Sequence, residues 1–244
     1  LSWLFTEHAF LDRFGAAAGA GFKAVEVLSP YDVAPKLIAR QLLTHDLTLA
    51  LINCPPPNYT GGAPGFAAQP DQIDRFRSDL KRTLRYAAQL GPRHIHVMAG
   101  VASDAVARKT FVENLKWAAA FAPTQSLTIE PINQTSMQGY FLSDFDQAAA
   151  ILAEIAAPNL SLQFDTYHAQ IITGDAIACW QKHRHLTQHI QVAGTPGRHE
   201  PQNCDIDYPA FFADLDATGY SGFVSGEYHP LGATADGLNW IAPH

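Results

Sequence analysis

Short apolar, β-prone runs alternate along the chain with segments whose apolar residues recur at helical spacing. The runs that predict strands are Trp3–Phe5, Lys23–Leu28, Thr48–Asn53, His94–Met98, Thr128–Asn133, Gln163–His168, His189–Val192 and Ser225–Tyr228. The helical spacing is clearest for Ile73, Phe76, Leu80, Leu84 and Ala87. The pattern therefore predicts eight strands separated by helices.

Strands that are apolar almost throughout and alternate with helices indicate a parallel sheet buried on both faces, either open or closed into a barrel. Eight repeats favour closure, and 244 residues is the usual length of such a barrel. We therefore predict an α/β protein with one (β/α)8 TIM barrel domain over residues 1–244. The chain opens on an apolar segment without Met, which leaves open whether residues precede Leu1.

The composition narrows the class of protein. A formal net charge of −7 and a pI near 5.8 disfavour a nucleic-acid partner. No apolar run reaches the roughly 18 to 20 residues of a membrane helix, and the start of the chain lacks the pattern of a signal peptide. Three cysteines at wide spacing include no C-x-x-C pair, which suits a reduced compartment. We predict a soluble, cytoplasmic protein without membrane or nucleic-acid partners.

Four of the predicted strands end in an oxygen-bearing side chain. Glu130, Asp165, Gln191 and Glu227 lie 35, 26 and 36 positions apart, which is the step of one strand-plus-helix unit. A closed parallel barrel would bring all four side chains to one end. Each acid taken singly has the alternative role of capping a helix or pairing with Arg. Here four such residues recur at the spacing of the strand-plus-helix unit. Each lies beside an apolar run where an unpaired charge is unfavourable, and together they predict a metal site.

Three carboxylates and one carboxamide are hard oxygen ligands, which suit Mg²⁺ or Mn²⁺ better than Zn²⁺. A divalent ion would leave this ligand set with a charge near −1, because Gln191 is neutral. A metal at a barrel mouth can polarise a carbonyl group while flanking carboxylates move a proton on the adjacent carbon. The residues thus predict aldose–ketose chemistry, with Glu130 and Glu227 as the acid/base pair on either side of an enediolate.

The segment Asn53–Phe66 is rich in Pro and Gly and is too long for an ordinary connection. It has two interpretations, a lid or wall over the barrel mouth and a stiff surface loop, and the sequence does not choose between them.

Several further segments carry a family resemblance. They are Leu4–Phe14, Gly21–Glu26, His96–Gly100, Glu130–Asn133, Asp165–Gln170, Gly197–Pro201 and Glu227–Pro230. Together with the four strand-end residues they resemble the hydroxypyruvate isomerase family of the xylose-isomerase-like barrels over nearly the whole chain.

The resemblance implies that residues like Glu130, Asp165, Gln191 and Glu227 hold the metal and that the two glutamates are the acid/base pair. It also implies that His168 and Arg198 bind the substrate. An Arg suits a carboxylate because its fork donates two parallel hydrogen bonds. His96 faces the same way as His94 on its strand, which places it either near the mouth as a substrate contact or within the core.

The substrate remains open at this point. The candidates are hydroxypyruvate with tartronate semialdehyde, or a four-carbon 2-oxo-tetronate with its 3-oxo isomer. The segments Asn53–Gly62 and Cys204–Tyr208 depart from the family pattern and flank the mouth, so they bear on this choice. Alternatives are a ketose 3-epimerase, whose family members usually carry His in place of Gln191, a DNA-repair endonuclease, and a barrel that binds a metabolite without turnover.

Barrels of this group are often dimers or tetramers. A homo-oligomer is therefore an open expectation for this chain, with the aromatics Trp180 and Tyr59 as candidate contacts.

Overall fold

In the computed structural model, described for residues 1–55 and 65–241, seven parallel strands form one sheet in sequence order. The strands are β1 (Ala24–Glu26), β2 (Thr48–Cys54), β3 (His94–Val97), β4 (Ser126–Ile129), β5 (Leu160–Asp165), β6 (Thr187–Val192) and β7 (Val224–Gly226). The α/β barrel-like architecture predicted from the alternation is thus confirmed. Each strand pairs in parallel with the next along the chain.

Helices lie between successive strands, as the apolar spacing predicts, and one further helix precedes β1. They are α1 (Arg13–Gly19), α2 (Pro35–Thr44), α3 (Ile73–Leu90), α4 (Ala105–Phe121), α5 (Phe145–Ile155), α6 (Thr166–Thr173), α7 (Ala176–His183) and α8 (Tyr208–Thr218). Short 3₁₀ helices occupy Pro70–Gln72, Arg184–Leu186 and Thr234–Ile241. No helix within residues 1–55 and 65–241 is long and apolar enough to cross a membrane.

Aspartates cap many of the helices that follow the strands. Asp104, Asp144, Asp175 and Asp207 each accept a hydrogen bond from the backbone N–H group three residues later, at 2.7–3.0 Å. Such caps satisfy backbone donors that have no partner within the helix and hold the start of each helix.

The prediction of a first strand at Trp3–Phe5 is wrong. This segment forms bends and turns, although Leu4 and Phe5 are buried. Phe5 adopts a left-handed φ of 60°, and its N–H group donates to the Thr234 hydroxyl at 2.7 Å. That backbone group is therefore not available to a strand ladder. Ser2 lies near the end of β1, where its hydroxyl accepts from the Leu28 N–H group at 3.0 Å.

Trp180 is not an exposed aromatic. Its side chain lies between the sheet and the helices with a relative exposure of 1%, and its Nε1–H group donates to Asp214 Oδ2 at 2.7 Å. The prediction that Trp180 contributes an oligomer contact is therefore wrong, because burial in the core removes it from the surface. Tyr59 and most of the Pro/Gly-rich segment, on which the choice between a lid and a surface loop depends, fall outside the described residues.

Candidate active site

The four strand-end residues lie at the carboxyl end of the sheet. Glu130 follows β4 directly, Asp165 is the last residue of β5, Gln191 is the next-to-last residue of β6, and Glu227 follows β7. Asp165 and Gln191 are paired across neighbouring strands. All four side chains are buried. The strands are parallel, so their carboxyl ends all lie at the same rim of the barrel, and residues at those ends come together there.

Glu130, Gln191 and Glu227 line a cavity of about 470 Å³ that opens at this rim. The predicted substrate residues Arg198, His168 and His96 line the same cavity. Asp165 is fully buried beside it and is connected to Glu227 through Arg198. The structure therefore brings all seven residues predicted from the sequence to one place.

Arg198 joins two of these carboxylates. Its Nη2 atom donates to Asp165 Oδ2 at 2.8 Å and to Glu227 Oε2 at 2.9 Å, and its Nε atom donates to the Glu227 carbonyl oxygen at 3.2 Å. Trp3 and Tyr167 pack on the guanidinium carbon at 4.5 and 4.9 Å from their ring centroids. Burial lowers the pKa of Arg198, but the charges of Glu227 and Asp165 outweigh it and raise that pKa. The guanidinium is thus charged and fixed in orientation.

The two predicted acid/base residues have raised pKa values. Burial, followed by the charges of Glu227 and Asp165, raises the pKa of Glu130 well above its ordinary range. Burial also raises the pKa of Glu227 to about 8, against the opposing effect of the Arg198 charge. Carboxyl groups in such surroundings can hold a proton near neutral pH, which suits general acid/base roles.

His168 has a defined tautomer. The Asn133 Oδ1 atom accepts from the Ser136 N–H group at 2.8 Å, so the Asn133 amide donates to His168 Nδ1 through Nδ2 at 2.7 Å. Burial lowers the pKa of His168 to about 4, which keeps the ring neutral with its proton on Nε2. The Nε2 atom lies 3.6 Å from Asp165 Oδ2 and 3.9 Å from Glu130 Oε1. It is suited to donate to a ligand oxygen.

His96 is more deeply placed, with a relative exposure of 1%. Its Nδ1 atom lies 3.4 Å from Glu130 Oε2, and its Nε2 atom has no hydrogen-bond partner among the described residues. Burial lowers the pKa of His96 to about 3, so the ring is neutral. His96 is thus buried and also lines the cavity, and its role as a substrate contact stays a prediction.

Three residues that the sequence interpretation did not single out connect the predicted ligands. Gln163 donates through Nε2 to Glu130 Oε2 at 3.0 Å and to Gln191 Oε1 at 2.7 Å. Glu26 accepts from Gln191 Nε2 at 3.0 Å and from His189 Nε2. Burial raises the pKa of Glu26, but the charge and hydrogen bond of His189 outweigh it and lower that pKa. The sequence could have indicated Gln163 and His189, because each lies two positions before a predicted ligand and therefore on the same face of its strand.

The residues present fit a divalent metal ion. Potential ligand atoms of Glu130, Asp165 and His168 lie within 4.8 Å of one another, and all three residues are buried. In the tautomer that Asn133 sets, the His168 Nε2–H group donates, so the two carboxylates are the metal donors of this cluster. Glu130 Oε1 is buried without a hydrogen-bond partner among the described residues, as expected of an atom that faces a ligand. The carboxylates and the Gln191 amide supply hard oxygen donors.

Comparison with known proteins agrees with this architecture. The family model described as xylose isomerase-like TIM barrel matches residues 14–244, and this defines the class of protein. A crystal structure of a Brucella melitensis protein described as an AP endonuclease of family 2 is 39% identical, with a TM-score of 0.94 over 99% of this chain and 95% of that one.

Two curated relatives identify the family more narrowly. A 2-oxo-tetronate isomerase of Cupriavidus necator is 44% identical over 250 residues, which span 100% of this chain and 96% of the relative. A hydroxypyruvate isomerase of Escherichia coli is 34% identical over 251 residues, which span 100% and 97%. The chain therefore belongs to the family of hydroxypyruvate isomerases and 2-oxo-tetronate isomerases, and it is an isomerase of this family. The resemblance seen in the sequence is confirmed.

Proposed function

We propose that this chain is a divalent-metal-dependent isomerase of small hydroxy-oxo acids. Its reaction interconverts hydroxypyruvate and tartronate semialdehyde, or a 2-oxo-tetronate and its 3-oxo isomer. The observation that carries the proposal is a pair of buried glutamates with raised pKa values, Glu130 after β4 and Glu227 after β7, beside a fixed Arg at one cavity. The names of the relatives from Cupriavidus necator and Escherichia coli support the same substrate class.

Glu130 and Glu227 serve as the acid/base pair in this proposal. They follow strands that are separated by two others in the sheet, so they approach the cavity from different sides. One carboxylate removes a proton from the carbon beside the carbonyl group, and the other carboxyl group delivers a proton to the adjacent carbon of the enediolate. Burial keeps water from competing for these protons.

Glu130, Asp165, Gln191 and Glu227 would hold Mg²⁺ or Mn²⁺. Such an ion, when bound, polarises the carbonyl group and stabilises negative charge on the substrate oxygens. The buried, unpartnered Oε1 atom of Glu130 and the hard oxygen donors around it support this assignment.

Arg198 and His168 would orient the substrate. The Nη1 atom of Arg198 makes no hydrogen bond to any described residue, while its Nε and Nη2 atoms are held by Glu227 and Asp165. Nη1 is thus available to a substrate carboxylate. The Nε2–H group of His168 is available to a hydroxyl or carbonyl oxygen at the same cavity.

The test uses purified protein that has been stripped of metal with a chelator and dialysed. Three- and four-carbon hydroxy-oxo acids are then supplied with Mg²⁺, with Mn²⁺ or with chelator, in D₂O. We expect conversion only with a metal ion, together with incorporation of deuterium at the carbon that receives the proton. No turnover across the acid panel with either ion would overturn the proposal.

Two further substrates distinguish the alternatives in the same experiment. Turnover of an uncharged ketose at a rate equal to that of the acids would favour a 3-epimerase. Cleavage of a duplex with an abasic site would favour the endonuclease function that the description of the Brucella melitensis protein names. Binding of an acid without turnover, unchanged in Glu130→Gln and Glu227→Gln, would indicate a binding protein.

A further inference from the structure

A series of directed hydrogen bonds links buried residues of the barrel interior, and three of them, Glu130, Gln163 and Gln191, line the cavity. Glu26 is its starting point, because one oxygen of its carboxyl group accepts from Gln191 Nε2 and the other lies against His189 Nε2. Gln191 must therefore turn its Nε2 atom toward Glu26, at 3.0 Å, and its Oε1 atom the other way. The orientation of the Gln191 amide is thus determined by its neighbours.

Gln163 makes the next hydrogen bond, which it donates to this oxygen of Gln191. Its Nε2 atom has two hydrogens, and they are directed to Gln191 Oε1 at 2.7 Å and to Glu130 Oε2 at 3.0 Å. Its own Oε1 atom accepts from the Thr128 hydroxyl at 3.1 Å. Gln163 is 1% exposed, and the residues to which it is linked by these hydrogen bonds are buried too, so water does not compete for the bonds. Every polar atom of the Gln163 amide has a partner.

The residue type at position 163 suits this geometry. One neutral nitrogen has to donate to two acceptors on neighbouring strands, β4 and β6, from β5 between them. Asn is one methylene shorter, a neutral His offers only one N–H group, and Lys would add a charge beside the ligands. Gln also leaves Glu130 Oε1 as the oxygen without a partner, which turns that atom to the cavity.

We infer that Gln163 is a positioning residue of the metal site, which fixes the spacing of Glu130 and Gln191 and selects the oxygen that each presents. The inference rests on the proposed function, since it concerns the ligands named there. Residues that hydrogen-bond to metal ligands typically change metal affinity by about 10- to 100-fold when they are removed.

The experiment measures Mn²⁺ affinity of the chelator-stripped protein by titration calorimetry. We expect Gln163→Met, which keeps the volume and removes both donors, to weaken Mn²⁺ binding by about 10- to 100-fold. Gln163→Asn keeps the amide but does not reach both acceptors, so we expect a loss in the same direction. Ser161→Ala, on the same strand and outside this series of hydrogen bonds, is the matched control and should retain the wild-type affinity.

A double-mutant cycle separates positioning from a general structural effect. If Gln163 acts through Gln191, the loss caused by Gln163→Met becomes smaller in the Gln191→Leu background. The melting temperature with chelator present reports folding of every variant. Should Gln163→Met not fold, Gln163→Asn carries the same comparison.

Each outcome has a defined meaning. Wild-type affinity in a folded Gln163 variant, or a fully additive loss in the cycle, would overturn the inference while the proposed function stands. Absence of Mn²⁺ and Mg²⁺ binding in the wild-type chain would overturn the proposed function and the inference with it.

Discussion

The two faces of β5 differ sharply in the kind of interaction they make. Phe164 points toward the helices, where it packs against Phe145 and Trp180 at centroid distances of 5.2 and 5.5 Å. Gln163 and Asp165, one position before and after it, point into the barrel and make hydrogen bonds and an ion pair. Alternation along a single strand thus separates the packed layer from the candidate active site.

The difference shows where stability and chemistry reside. Aromatic contacts on the helix side are non-directional, exclude water and stabilise the fold. On the barrel side, buried carboxylates repel one another and have raised pKa values, which is unfavourable for folding but useful for proton transfer. Substitutions on the helix side should therefore reduce stability without changing the chemistry, and substitutions on the barrel side should do the reverse.

The largest effect is expected at the acid/base pair. Glu130→Gln and Glu227→Gln should each lower kcat by about 10²- to 10⁴-fold, because the amide cannot transfer a proton. The melting temperature should change little for Glu130→Gln, whereas Glu227→Gln also loses the ion pair with Arg198 and should lower it. Steady-state kinetics and thermal unfolding check this, with the exposed Glu154→Gln as control. A variant that unfolds at lower temperature and keeps its kcat would show that the barrel face contributes to stability and not to catalysis.

On the helix side, Trp180→Ala should destabilise the protein by about 3–5 kcal/mol, as is typical when a large buried aromatic is truncated. The free energy of unfolding in urea measures this change. Under conditions where the variant is folded, its Mn²⁺ affinity should equal that of the wild type. A large loss of metal affinity with little loss of stability would show that the two faces are not separate.

Arg198 tests the barrel side through specificity. Arg198→Lys keeps the charge but loses the planar fork, so kcat/KM for the acid substrate should fall by about 10- to 100-fold, the scale of a lost charge-assisted hydrogen bond. The exposed Arg108→Lys is the control. An equal loss for an acid and for an uncharged ketose would contradict the assignment of Arg198 to the substrate carboxylate.

The smallest effect concerns the thiols. Burial raises the pKa values of Cys54 and Cys179 to about 12, so at pH 8 both are protonated and react slowly. Their thiolate fraction, and with it their alkylation rate, should rise with pH. We expect mass spectrometry of the native protein to show label on Cys204, which is partly exposed, and on all three cysteines after denaturation. Rapid native labelling of Cys179 would mean that the helix layer opens to solvent.

The order of amino acids is enough to predict the alternation of strands and helices and the strand-end positions of Glu130, Asp165, Gln191 and Glu227. Both depend on periodicity within a few residues, which is a local property of the chain. It also identified the family, because the motifs that carry the resemblance are contiguous segments. The structure confirms the α/β barrel-like fold and places the candidate residues at one rim.

The hydrogen-bond and packing partners of these residues follow from the folded chain and not from the sequence pattern. The N–H group of Phe5 is bound by Thr234, 229 positions away, and this replaces the predicted strand at Trp3–Phe5. The sequence around Trp180 is compatible with an exposed or a buried side chain. Its burial follows from contacts with Phe164 and Asp214, which lie far from it along the chain. Periodicity indicates the face on which a side chain lies, whereas pairing across strands depends on how the sheet closes.

The same limit applies to the candidate site. Alternation along β5 indicates the face on which Gln163 lies, but it does not give the partners of Gln163 or Glu26, because each acts on a ligand of another strand. Arg198 pairs with Asp165 and Glu227 only because a loop turns its side chain back over the rim. Hydrogen-bond direction and charge balance are properties of groups assembled in space, and for this reason they emerge only in the folded protein.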